Sequence, residues 1–131
     1  DKPFSTMALW GRMLNGIGQR RDGRIVHASQ TLEMLRETGS DPTATEGFVD
    51  LLGSTRTGDI TVLFKETDAS HVRVSVRTTD RADAVAITSA FGGGGHARAA
   101  GCSLDLPLAE TTERVLEECE RELDRADARG R

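Results

Sequence analysis

In "FSTMALWGRMLNGI" the apolar residues Met7, Leu9, Trp10, Met13, Leu14 and Ile17 recur at close to helical spacing. The pattern predicts an N-terminal helix with Ser5 or Thr6 as its cap. "QRRDG" reads as a turn, and "RIVHASQ", Arg24 to Gln30, as a buried strand. A short helix over "LEMLRETG" should end at Gly39. In "DPTATEGFVDLLG", Thr43 and Glu46 have the spacing of a capping box before an apolar run that Gly53 closes.

Further on, "DITVLFKE" and "HVRVSVRT" predict two strands joined by the polar turn "TDAS", an antiparallel hairpin. Strict alternation in the second strand puts Val72, Val74 and Val76 on one face and Arg73, Ser75 and Arg77 on the other. "RADAVAITSAF" is apolar nearly all round and predicts a buried helix, while "CSLDL" predicts a short final strand. The terminal helix, with Pro107 early in its first turn, carries an apolar stripe of Leu108, Val115, Leu116, Cys119 and Leu123. Glu110–Arg114 and Glu117–Arg121 stand at the i,i+4 spacing of ion pairs. Together these elements predict one α/β domain, a mixed sheet containing an antiparallel hairpin and flanked by helices.

Composition narrows the function classes. The chain has 131 residues and 37% hydrophobic content, enough for one ordinary core. It contains no apolar run of membrane-spanning length, and "DKPFSTMALW" lacks the regions of a signal peptide. The missing initial methionine suggests a piece of a longer protein. Cys102 and Cys119 fit no metal-binding spacing and are expected to be a reduced cytoplasmic pair. A formal charge of −4 argues against coating long nucleic acid, and the few aromatics, with no tyrosine, argue against a stacking platform for single strands. Any nucleic-acid ligand should be short.

The costly feature is "FGGGGHARAAGC", Phe91 to Cys102. Each glycine loses about 0.5–1 kcal/mol relative to alanine in backbone entropy on folding. Consecutive glycines let a ligand approach the backbone and let amides converge into an anion-binding nest. If "HARAA" opened a helical turn, its free N–H groups would add to the nest, beside His96 and Arg98. A helix cap followed by a loop is the competing structural reading. No lysine follows the glycines as in a P-loop. Gly92, Gly94 and Ala97 satisfy the dinucleotide fingerprint only formally, because they do not follow the first strand of a βαβ unit.

"FGGGGHARAAGC", preceded by "VRVSVRT", resembles the glycine-rich, DHH-associated C-terminal domain of the DHH phosphoesterases. Within that family the similarity is greatest to the branch of bacterial nanoRNase/3′-phosphoadenosine-5′-phosphate phosphatases. It extends over nearly the whole chain through "DGRIVHA", "TEGFVDLL", the hairpin, the glycine motif and the terminal helix. The resemblance implies that residues 1–22 form a linker helix from an N-terminal DHH catalytic domain holding two manganese ions. Residues 23–131 would then be the substrate-binding domain. His27, His71 and His96 are scattered and no metal motif occurs, so the chain alone should hold no metal or cofactor and hydrolyse nothing.

Carried onto this sequence, the family's glycine loop corresponds to Gly93, Gly94, Gly95 and His96, expected to contact substrate phosphate. Its Ser-x-Arg-Ser segment corresponds to Ser75, Val76, Arg77 and Thr78, the last a departure that keeps the hydroxyl. Arg77 is the leading candidate because a guanidinium binds phosphate bidentately. Arg98 is a lesser candidate and Arg73 a peripheral one. The implied partner is a short oligoribonucleotide or a nucleotide bisphosphate, with no membrane. The competing readings are a RecJ-like exonuclease, a cyclic-dinucleotide phosphodiesterase, or a non-catalytic RNA-binding module like that of alanyl-tRNA synthetases. The Trp10 helix suits a linker, a homodimer contact or ordinary packing equally.

Overall fold

The computed structural model describes residues 3–130. Six strands form one mixed sheet in the order β1-β2-β3-β4-β6-β5. They are β1 (Gly18–Arg20), β2 (Ile25–Gln30), β3 (Ile60–Asp68), β4 (His71–Thr78), β5 (Gly94–His96) and β6 (Ala99–Leu104). Helices α1 (Phe4–Asn15), α2 (Leu32–Thr38), α3 (Phe48–Leu52), α4 (Ala84–Thr88) and α5 (Leu108–Arg129) flank it. Only β2 and β3 run parallel, joined by a crossover through α2 and α3, and every other pairing is antiparallel.

The alternation of apolar residues divides the core between the two faces of the sheet. On one face Ile60, Val62, Phe64, Val72, Val74 and Val76 pack with Ala100 and Cys102 under α4 and α5. All three valines of β4 are fully buried, as their alternation predicts. The α5 stripe buries Val115, Leu116, Cys119 and Leu123, with Leu108 packed at its edge. On the second face Val26, Ala28 and Leu63 meet Leu9, Met13, Leu35 and Phe48 from α1–α3. This second layer covers only β2 and β3. Over β4, β6 and β5 the same face carries no helix.

Several local expectations are corrected. Helix α1 is preceded by Pro3 with no side-chain cap, so neither Ser5 nor Thr6 caps it. The "QRRDG" segment is only partly a turn, since Gly18–Arg20 forms the sheet's edge strand and Arg21 and Asp22 turn with φ of 55° each. Within the segment 1–22, expected as a linker helix, Leu9 and Met13 enter the core and Gly18–Arg20 adds a strand to the sheet. The Thr43–Glu46 capping box is absent: Pro42–Thr45 is a single 3-10 turn capped by Asp41, and Gly47 precedes α3. Arg121 pairs with Glu118 rather than Glu117. No Glu110–Arg114 ion pair occurs among the described residues. Gly39 and Gly53 end their helices as expected.

The β1 edge is tied to α5 by charge. Arg20 reaches Glu113 and Glu120, each at 2.9 Å, and Arg21 reaches Glu120 and Asp124, each at 2.9 Å. Arg24 bridges Asp59 at 2.8 Å and, bidentately, Asp127 at 2.9 Å. Hydrogen bonds from Arg21 hold the carboxyls of Glu120 and Asp124 below their ordinary range. Glu122, fully buried, accepts from the Asp83 amide at 2.8 Å and from Arg125 at 3.1 Å.

Candidate functional site: the open half-sheet

The helix-free half of the second face is built by register. Arg77 lies opposite Thr61 on one side and Ala99 on the other, and Ala99 lies opposite His96. One row along, Ser75 lies between Leu63 and Gly101, and Gly101 lies opposite Gly94. A further row carries Lys65, Arg73 and Ser103. Directly opposed residues in antiparallel pairs point to the same face. Ser75, Arg77, Gly94 and His96 therefore share one surface, floored by the small residues Ala99 and Gly101.

The glycine run does not form a helix-opening nest, because "HARAA" closes the β5–β6 hairpin and continues into β6. Gly93, Gly94 and Gly95 differ in what they contribute. A Cβ at Gly93 would stand 2.1 Å from the Gly101 carbonyl oxygen, so packing against β6 requires its absence. Gly95 has φ of +143° and would press a Cβ to 2.7 Å from the Ala100 Cα. Gly94 would meet nothing within 4 Å, so the fold leaves its backbone bare on the open face without needing a glycine there. As the edge strand, β5 also leaves alternate backbone groups without a sheet partner on its outer side.

The hairpin tip is fixed. The Ala97 carbonyl accepts from the Ala84 amide at 2.8 Å and from the Thr78 hydroxyl at 2.9 Å. The Arg98 carbonyl accepts from the Thr78 amide at 3.0 Å. The Arg98 guanidinium donates to the Thr79 carbonyl and, at 2.7 Å, to the Ala82 carbonyl. Of the residues singled out in the sequence, the structure brings Ser75, Arg77, Gly94 and His96 together. Arg98 instead holds the β4–α4 connection. It lines a mixed-charge cleft of about 820 Å³ with Asp80, Arg81, Asp83, Asp127 and Arg129, whose lining includes neither Arg77 nor His96.

The open half-sheet differs from this cleft in charge. Arg77 makes one protein hydrogen bond, to the Val76 carbonyl at 3.2 Å, and neither it nor Arg73 joins an ion pair among the described residues. The carboxylates at the margin of this face flank His71: Asp105 is engaged with its ring at 2.7 Å, and Asp68, its register partner, accepts from the Ser70 amide at 2.8 Å. A guanidinium, an imidazole, a hydroxyl and bare backbone on one flat surface suit an anionic ligand of modest size. Sequence reasoning missed Gly101 and Ala99 as the floor. The alternation of small residues at 99, 101 and 103 with buried Ala100, Cys102 and Leu104 carried that signal.

Two other groups of interest in the sequence serve packing. His27 stands edge-on to Phe64, and burial, helped by the Arg20 charge, lowers its pKa. Cys102 and Cys119 are buried thiols, and burial raises that of Cys102 to about 11. No group of three or more His, Cys, Asp or Glu among the described residues could hold a metal ion. Among them, no helix is long and apolar enough to cross a membrane.

Comparison with known proteins places this geometry. The chain is 33% identical over 126 residues to the "Bifunctional oligoribonuclease and PAP phosphatase NrnA" of Thermus thermophilus, covering 95% of this chain and 37% of that protein. It superposes on an exopolyphosphatase-related protein from Bacteroides fragilis with TM-score 0.87 at 20% identity, over 97% of this chain and 37% of the other. A pGpG-specific phosphodiesterase, PggH, from Vibrio superposes with TM-score 0.57 at 15% identity, over 95% of this chain and 39% of the other. The chain thus spans little more than a third of the length of each of these relatives. The profile of the DHHA1 domain matches residues 24–125, which takes in the whole of the open half-sheet, and the chain belongs to that family.

Proposed function

We propose that this domain grips the phosphate of a short oligoribonucleotide or a nucleotide bisphosphate for a phosphoesterase whose metal-bearing DHH domain lies elsewhere in the polypeptide. The observation that carries the reading is the convergence of Arg77, Ser75, His96 and the bare Gly94 backbone on a face with no covering helix and no carboxylate partner for Arg77. Similarity to NrnA, named as an oligoribonuclease and PAP phosphatase, supports the substrate class. In this division of labour the other domain would hold the two manganese ions and supply the hydrolytic chemistry. This domain supplies positioning and charge neutralisation.

Isothermal titration of this chain with the 5′-phosphorylated dinucleotide pApA tests the reading. A charge-assisted hydrogen bond contributes about 1.5–3 kcal/mol, so Arg77→Ala should weaken binding by roughly ten- to a hundredfold. Equal affinity in parent and variant, or no binding by the parent, would overturn the assignment.

A further inference from the structure

Arg73 stands out on the open half-sheet for reasons that phosphate capture at Arg77 does not explain. It is exposed on β4, opposite Lys65 and Ser103, and no carboxylate faces it across either neighbouring strand. Its one side-chain hydrogen bond is long, 3.4 Å from Nη1 to the Ser103 hydroxyl. The guanidinium lies diagonally over Gly101: a Cβ built there would be 2.8 Å from Arg73 Nη2 and 3.2 Å from the Val74 carbonyl oxygen. Gly101 has no positive φ, so its backbone conformation makes no demand for glycine, and its bare Cα leaves room for the Arg73 guanidinium to lie close against β6. A guanidinium carries five donors, and the long bond to Ser103 uses one of them.

We infer that Arg73, laid flat over Gly101, is a second phosphate contact, one residue row away from the phosphate held at Arg77 and His96. The inference rests on the phosphate-gripping function proposed above. Gly101 belongs to the row of Ser75 and Gly94, next to the row of Arg77, Ala99 and His96. Rows on one face of an antiparallel strand are about 7 Å apart, on the order of one extended sugar–phosphate unit. Lys65 extends the positive strip on the far side, its ammonium held by the Pro42 carbonyl at 3.1 Å. The ligand class selected is a nucleotide with two phosphates, a bisphosphate or a 5′-phosphorylated dinucleotide, over a nucleoside monophosphate. Arg77 then takes any phosphate, and Arg73 distinguishes one phosphate from two.

Titrations of this chain with adenosine monophosphate and with pApA test the inference, with melting temperature as the check on folding. Arg73→Ala should weaken pApA binding about tenfold and leave the monophosphate within twofold of the parent. Arg77→Ala should weaken both ligands. Gly101→Ala, which displaces the guanidinium, should reproduce the pApA loss and add nothing in an Arg73→Ala background, the non-additivity expected of groups acting through one contact. Arg73→Gln keeps the bulk of the side chain and should behave as Arg73→Ala. Unchanged pApA affinity in Arg73→Ala, or an equal loss for both ligands, overturns the Arg73 assignment alone if Arg77→Ala is still impaired. If Arg77→Ala binds both ligands as the parent does, the proposed function fails with it.

Discussion

The β1–α5 edge and the open half-sheet are both rich in arginine, yet they treat it oppositely. At the edge, Arg20, Arg21 and Arg24 each meet two carboxylates at 2.8–2.9 Å. On the open face Arg73 and Arg77 meet none, although the chain carries 21 acidic residues against 17 lysines and arginines. Net charge therefore says little about where an anion binds. The local supply of carboxylates decides whether a guanidinium is a structural tie or a free binding group, and the β1–α5 edge absorbs acids that would otherwise repel a phosphate.

The sharpest way to break the comparison is within the glycine run that borders the open face. Gly93→Ala forces a Cβ against the Gly101 carbonyl and should cost about 3 kcal/mol or more in urea denaturation. Gly94→Ala meets open space and should shift stability by less than about 0.5 kcal/mol while weakening phosphate binding. Similar stabilities for the two variants would contradict the division between packing glycine and bare backbone.

Next in size is the buried carboxylate on the tied side. Glu122→Ala leaves the Asp83 amide without its acceptor and should destabilise by about 1–3 kcal/mol, with the denaturant midpoint as readout. Phosphate affinity should hold in the folded protein, because Glu122 lies on the other side of the sheet from Arg77.

The smallest effect is acidification. Glu120 and Asp124 have folded pKa values below their unfolded ones, so their stabilisation is present above the ordinary carboxylate range and is lost as pH falls through the lowered values. These are solvent-screened pairs, so the loss is small. Melting curves between pH 5 and about 2.5 should fall less steeply in Arg21→Gln than in the parent. Arg77→Ala should follow the parent, since no carboxylate partners it.

Much of the open face was legible in the sequence because β4 alternates strictly, and alternation fixes which side chains share a face whatever the topology. Its neighbours across the sheet were not legible. That Arg77 lies beside Ala99 and His96 follows from the β4–β6 and β6–β5 registers, which pair residues far apart in the chain. The β1 strand was read as a turn because three residues carry no period. The apparent capping box failed because Asp41, one residue before Pro42, reached the Thr43 amide first and set a 3-10 turn. Arg98 was singled out by its place beside His96, and only the closed hairpin shows its guanidinium spent on the Thr79 and Ala82 carbonyls.

The pinned tip of the β5–β6 hairpin has a kinetic corollary. Ala97 and Arg98 are bolted to Ala84 and Thr78 through their backbone carbonyls, so the segment that looks most flexible on paper is pre-organised. A ligand that binds at Gly94 and His96, as proposed, would lose little affinity to ordering this loop. Encounter should then approach the rate set by diffusion and charge steering, with discrimination among nucleotides expressed in how slowly they leave.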